Sequence, residues 1–111
     1  MNGLKNKVQL IGHAGETPTI KDVNGSKMAR FSLATNETYT NAKGEKVTDT
    51  QWHTLIFWGK LAELAESYIQ KGSEVAIEGK LQYRNYTKDE VKRFVTEIVV
   101  SEFILLTRKA D

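Results

Sequence analysis

Apolar residues recur at every second position through most of this chain and switch to a helical spacing only once. That single switch constrains the fold more than any other feature. Alternation puts successive side chains on opposite faces of a strand, whereas apolar residues at i, i+3, i+4 and i+7 line one face of a helix. From Leu4 to Ile11, Val8 and Leu10 fall opposite Lys7 and Gln9, and Gly12 and Gly15 break the pattern. Thr19–Val23 is a candidate short strand, followed by Asn24-Gly25, the strongest short hairpin signal. Met28–Tyr39 alternates again, with Ala29, Phe31, Leu33 and Thr35 on one side. Thr40–Asp49 is polar and glycine-bearing and reads as a loop. Thr50–Trp58 is the next strand, ended by Gly59.

The period changes in Lys60–Gln70, where Leu61, Leu64, Ala65 and Tyr68 predict a short amphipathic helix closed by Lys71 and Gly72. Such a helix caps one end of a sheet structure. Ser73–Tyr86 returns to period two. Val75, Ile77, Leu81 and Tyr83 are expected inward, and Glu74, Glu78, Lys80, Gln82, Arg84 and Tyr86 outward. Thr87–Glu90 reads as a turn and Phe94–Leu106 as a last strand, apolar on both faces near its end. Three strands, a helix and two strands predict an all-β fold, a five-stranded OB-fold Greek-key barrel with one short α-helix between strands 3 and 4. One helix is too few for a parallel βαβ sheet. Without repeat or linker, residues 1–111 are expected to form a single domain.

The absence of cysteine excludes a disulfide scaffold and cysteine-ligated zinc. There are two histidines, His13 and His53, and no HExxH, GxSxG or phosphate-cradling glycine loop. The carboxylates are scattered, so neither an enzyme, a metal site nor a cofactor is expected. No signal peptide opens the sequence, and no apolar run approaches the roughly 20 residues of a membrane span. A cytoplasmic protein without membrane contact is expected. The net charge of +2, from 16 basic and 14 acidic residues, suits a polyanionic partner only if the positive charge is sorted onto one surface.

In Thr50–Trp58, one face takes Trp52, Thr54, Ile56 and Trp58, and the other takes His53, Leu55 and Phe57. A small barrel has one interior. If Leu55 and Phe57 fill it, both tryptophans lie outside, where exposed apolar area signals binding. Tyr86 emerges beside Arg84, Gln82 and Lys80, and Tyr39 opens the loop that carries Lys43 and Lys46. Rings interleaved with cations on a β surface suit unpaired nucleic acid, because bases stack on the rings while cations hold the phosphates. Any one ring is equally well explained by packing against another subunit or loop. Four rings at comparable places favour binding. His53 reads as a core or subunit-interface histidine.

The segments Asn6-Lys7-Val8-Gln9-Leu10-Ile11-Gly12, Phe31-Ser32-Leu33-Ala34-Thr35, Thr50-Gln51-Trp52-His53, Phe57-Trp58-Gly59-Lys60-Leu61-Ala62-Glu63, Lys71-Gly72-Ser73-Glu74-Val75-Ala76-Ile77-Glu78-Gly79 and Thr96-Glu97-Ile98-Val99-Val100 occur in an order and spacing that are highly specific together. Through them the chain resembles the bacterial and phage single-stranded DNA-binding protein family along nearly its whole length. The resemblance implies an OB fold, a homotetramer, and sequence-independent binding of single-stranded DNA in replication, recombination and repair. It implies base stacking at Tyr39, Trp52, Trp58 and Tyr86, basic positions near the DNA at Lys60, Lys71 and Arg84, and subunit contacts at Lys7 and His53. Lys43, Lys46 and Lys80 join the expected phosphate contacts through their places beside Tyr39 and Tyr86.

Three departures from the family stand out. Thr54, Gln82 and Asn85 occupy positions that are often basic, and each missing cation should remove roughly 0.7 from the salt slope on a single strand. Tyr39 and Tyr86 stand where enterobacterial members carry tryptophan. The family usually ends in a flexible linker with an acidic tip that recruits replication and repair proteins. This sequence reads Thr107-Arg108-Lys109-Ala110-Asp111 at its end, so partners by that route are not expected, and a removed tip and a short variant both stay open. The rival readings are an accessory relative that chiefly contacts proteins, an RNA-binding OB domain and a small β-barrel nuclease.

Overall fold

The structure, a computed structural model, describes residues 5–107. Its elements are β1 (Val8–Ala14), β2 (Thr19–Val23), β3 (Ser26–Thr40), β4 (Lys46–Trp58), α1 (Lys60–Tyr68), β5 (Glu74–Lys88) and β6 (Val91–Leu105). Leu4, the start of the first predicted strand, and the basic end at 108–111 lie outside the described residues.

The sheet runs β1-β5-β6-β4-β3-β2, and an added β1–β3 pairing closes five of these strands into a barrel. β4 and β6 pair in parallel and the other pairs are antiparallel, so the fold is the expected OB barrel. The helix lies between β4 and β5 rather than between strands 3 and 4. The difference arises because Thr19–Val23 pairs along its whole length with β3 and counts as a strand of its own. Asn24 and Gly25 both take positive φ, 50° and 85°, as a tight two-residue hairpin turn requires.

Inward residues of β3 to β6, with Ala14 of β1, make the core. Phe31 stacks on Phe57 with ring centroids 5.4 Å apart, and Phe103 meets Phe57 edge-on at 5.3 Å. Leu33, Leu55, Val75, Ile77, Ile98 and Val100 surround them. α1 seals the barrel through Ala62 and the predicted Ala65, with Ile69 just past its end, while Tyr68 is exposed, so the buried face differs in part from the one predicted. Two alanines let the helix lie close to the sheet, which leaves the bulkier Leu61 and Leu64 half-buried at its flanks. The helix stops at Tyr68, where Ile69 is already extended, and does not reach Lys71.

Gly12 does not end the first strand, which continues to Ala14. A Cβ on Gly12 would collide with the Ala34 carbonyl oxygen, so glycine is what lets β1 cross β3. The predicted loop Thr40–Asp49 is instead the tip of a long hairpin, paired as far as Thr40 and Lys46. The Asn41 side-chain oxygen accepts from the backbone N–H of Lys43 (2.9 Å) and Glu45 (3.0 Å), which folds the polar segment into a tight turn.

β5 and β6 also outrun the barrel. β1 leaves β5 at Gly79, and β4 meets β6 only at Leu55–Ile98 and Ile56–Val99. The Asn6 side chain extends the β1 side by one step, donating to the Leu81 carbonyl (3.1 Å) and accepting from the Leu81 N–H (2.9 Å). Beyond it the hairpin is a two-stranded arm. Leu81 and Tyr83, predicted inward, are therefore exposed, because no core remains beneath them. At the arm's tip Asp89 and Glu90 hold φ of 53° and 62°, a left-handed region that side chains resist. Glu90→Gly should steady the arm by about 0.5–1 kcal/mol, read as slower amide exchange at Tyr86 and Arg93, which face each other across it.

Glu78 ties β1 to β5. The Gln9 side-chain amide donates to it at 2.9 Å and the Lys7 ammonium lies 3.4 Å away. The Gln9 hydrogen bond, then Lys7, hold the Glu78 carboxyl below its ordinary value. A depressed carboxylate stabilises the fold above its unfolded pKa, and that contribution disappears as pH falls through the folded value. Gln9→Leu should raise the Glu78 pKa toward the ordinary range, seen by titrating its carboxyl carbon resonance.

Candidate nucleic-acid interface

Register alone assembles the candidate site. On the outer face of the barrel, one row runs from Lys21 on β2 through Met28 to Trp58. The next runs from Thr19 through Arg30, Ile56 and Val99 to Lys80, crossing β2, β3, β4, β6 and β5. Trp52 shares this face and pairs with Ala34. Further along the β5–β6 arm the same face carries Gln82 opposite Glu97, Arg84 opposite Val95 and Tyr86 opposite Arg93. Trp52, Trp58 and Tyr86 thus belong to one continuous surface, with side-chain cations between them. The three rings are 63%, 42% and 41% exposed. Ile56, on the same face, is buried between its neighbours Arg30 and Val99.

Trp52 is held from below. Gly15 donates its N–H to the Ser32 carbonyl at 2.8 Å, and a Cβ on Gly15 would come within 2.5 Å of the edge of the Trp52 ring. The far edge of the indole therefore abuts bare backbone, while most of the ring stays exposed.

The remaining predicted residues are more scattered. Tyr39 is 48% exposed but pairs with Val47, on the opposite face of the β3–β4 hairpin from Trp52. Lys43 and Lys46 sit at the tip of that hairpin. Lys60 opens α1, 4.0 Å from Glu63, and Lys71 lies in the turn after the helix. His53 is half-buried, and its Nε2 is 2.9 Å from the Thr35 hydroxyl. Lys7 is engaged by Glu78 within the same chain.

Arg84 is the most constrained of the basic residues. Its Nε and one terminal nitrogen donate to the two oxygens of Glu97, at 2.9 and 3.0 Å. The Glu97 hydrogen bonds push the guanidinium further above its ordinary value, and Glu97 is buried. The pair stitches β5 to β6 below Tyr86, and a phosphate must share Arg84 with a carboxylate. Arg30 and Arg93 were missed by sequence reasoning. Arg30 stands out only once register sets it beside Ile56, and Arg93 once it is paired with Tyr86. Among the described residues, no group of three or more His, Asp or Glu is placed to hold a metal ion, and no helix is long and apolar enough to cross a membrane.

The model of the single-strand binding protein family matches residues 5–106. The chain belongs to that family. It is 38% identical over 107 residues to single-stranded DNA-binding protein 1 of Chlorobaculum tepidum, covering 94% of this chain and 66% of the relative. It is 41% identical over 103 residues to the single-stranded DNA-binding protein of Neisseria meningitidis, covering 91% of this chain and 59% of the relative. The chain thus spans about two thirds or less of the length of these family members. Among solved structures, the Plasmodium falciparum SSB in complex with ssDNA superposes with a TM-score of 0.84 at 35% identity, over 92% of this chain and 95% of that one. A deletion mutant of the single-stranded DNA binding protein from Thermus aquaticus gives 0.80 at 25% identity, over 92% and 50% of the two chains.

Proposed function

We propose that the chain binds single-stranded DNA without sequence preference and catalyses no reaction, serving replication, recombination and repair in the cytoplasm. The observation that carries this reading is the outer surface on which Trp52, Trp58 and Tyr86 are interleaved with Arg30, Lys80 and Arg93. Bases stack on the rings, and the cations neutralise phosphates and release counterions. Duplex is rejected because paired bases do not offer their faces. Tyr39, Lys43 and Lys46 extend the path along the β3–β4 hairpin, Lys60 and Lys71 extend it past α1, and Arg84 contributes what Glu97 leaves of its charge.

The working unit is proposed to be a homo-oligomer, a tetramer, with Lys7 and His53 near subunit contacts. Along Val8–Gly12, β1 pairs with β5 on one side only, so its other edge offers backbone groups to a second copy. The exposed Ile11 and Ile104 lie at the same wall of the barrel.

The test is quenching of tryptophan fluorescence on titration with oligo(dT) at low and high salt, against duplex of equal length. Strong quenching by oligo(dT) alone is expected. No quenching and no mobility shift would remove the reading. Sedimentation gives the oligomeric mass.

A further inference from the structure

The arm has a second exposed face. On it Leu81, Tyr83, Asn85 and Thr87 of β5 pair with Ile98, Thr96, Phe94 and Lys92 of β6. At its barrel end this face continues the core through Ile98, and beyond that no described residue covers it. Tyr83 is 72% and Phe94 73% exposed, more than any ring on the opposite face. They are diagonal neighbours, since Tyr83 pairs with Thr96 and Phe94 lies two residues away on the same face. That is within reach of two aromatic side chains. The Lys92 ammonium sits 5.7 Å from the Phe94 ring centroid.

The chemistry of this face selects its occupant. It holds two rings, one aliphatic side chain at the margin of the core, three small polar groups and one cation. It carries no carboxylate: Glu97 points to the other face with Arg84, and Asp89 and Glu90 are confined to the turn. A face with a cation and no carboxylate is complementary in charge to a polyanion, and it backs directly onto the proposed DNA surface across a two-stranded arm. Rings flanked by amides, hydroxyls and an unopposed cation match unpaired nucleotides.

We propose that this face is a second base-stacking surface for single-stranded DNA, with Tyr83 and Phe94 as its platforms and Lys92 as its phosphate contact. A strand leaving Tyr86 rounds the narrow arm and is held on both sides of it. The proposal rests on the reading of the outer face as a DNA surface.

The experiment compares the unaltered chain with Tyr83→Thr, Phe94→Thr and Lys92→Gln. Threonine keeps strand propensity at exposed positions. Trp52 and Trp58 remain in every variant as reporters. Loss of either ring should weaken oligo(dT) binding about five-fold or more and shorten the length of strand occluded per protomer, with full quenching still reached at saturation. Lys92→Gln should lower the salt slope by roughly 0.7. Unchanged affinity and occluded length, or a changed oligomeric mass in the ring variants, would overturn the proposal and make the face a protein interface, while quenching by the unaltered chain leaves the outer-face reading standing. Absence of quenching in the unaltered chain would overturn both.

Discussion

Trp52→Ala is expected to weaken oligo(dT) binding by about 5- to 150-fold, the 1–3 kcal/mol that one base–ring stack contributes, while moving the melting temperature by no more than a few degrees. The two effects separate because of where the ring lies. It is 63% exposed and takes no part in the core, so its removal opens no cavity. Its support is the bare backbone of Gly15, which an alanine at position 52 leaves undisturbed. Trp58→Ala should lose less selectively, because Trp58 is less exposed and adjoins the start of α1. Anisotropy of a labelled oligonucleotide reports both variants without depending on indole emission. Equal affinity for Trp52→Ala and the parent chain would exclude Trp52 as a platform. Gly15→Ala offers a check that spares the ring itself: the new methyl group meets only the far edge of the indole, which swings aside, so affinity should fall with little loss of stability.

Alternation made the barrel legible because its inward strand positions are apolar wherever a core lies beneath them. Phe31, Leu33, Leu55 and Phe57 could be placed inside from period alone, and Trp52 and Trp58 were thereby placed outside. The same rule misplaced Leu81 and Tyr83, because period says which face a residue takes and not whether the face is covered. The strand continues past the end of the core, and only the pairing of its neighbours reveals where the core stops. The helix face was misread for a related reason. Spacing placed Leu61, Leu64, Ala65 and Tyr68 inward, and Ala65 is buried, but close packing favoured the small Ala62 over the bulky Tyr68, which is exposed. Cations were the least legible part of the site. Arg30 gains meaning from a cross-strand partner remote in sequence and Arg93 from the exact register of a hairpin, and the engagement of Arg84 by Glu97 depends on a diagonal across β5 and β6.

Gly12→Ala is expected to destabilise the fold by roughly 3 kcal/mol, the upper range for forcing atoms into a packed interior, and to lower Tm by roughly 12–24 °C. The added methyl group would meet the Ala34 backbone carbonyl, with the Leu33 side chain only 3.1 Å away. A flexible side chain can turn away from a clash, but the Ala34 carbonyl belongs to the backbone of β3, which is paired with β4 on one side and β1 on the other and cannot move without straining those pairs. The site is also where the barrel closes, because β1 meets β3 only at His13–Ala34 and Ala14–Leu33. Pushing the two backbones apart there threatens those pairs and the bond from the Gly15 N–H to Ser32, and with them the floor under Trp52. Gly12→Ala should therefore lose DNA affinity together with stability, whereas Gly15→Ala loses affinity alone. Thermal denaturation of the two variants, beside anisotropy titrations at a temperature where both are folded, distinguishes closure from positioning. A Gly12→Ala variant that melts within two or three degrees of the parent would mean that β1 has room to slide, and that the barrel is closed by its core without need of a bare backbone at the crossing.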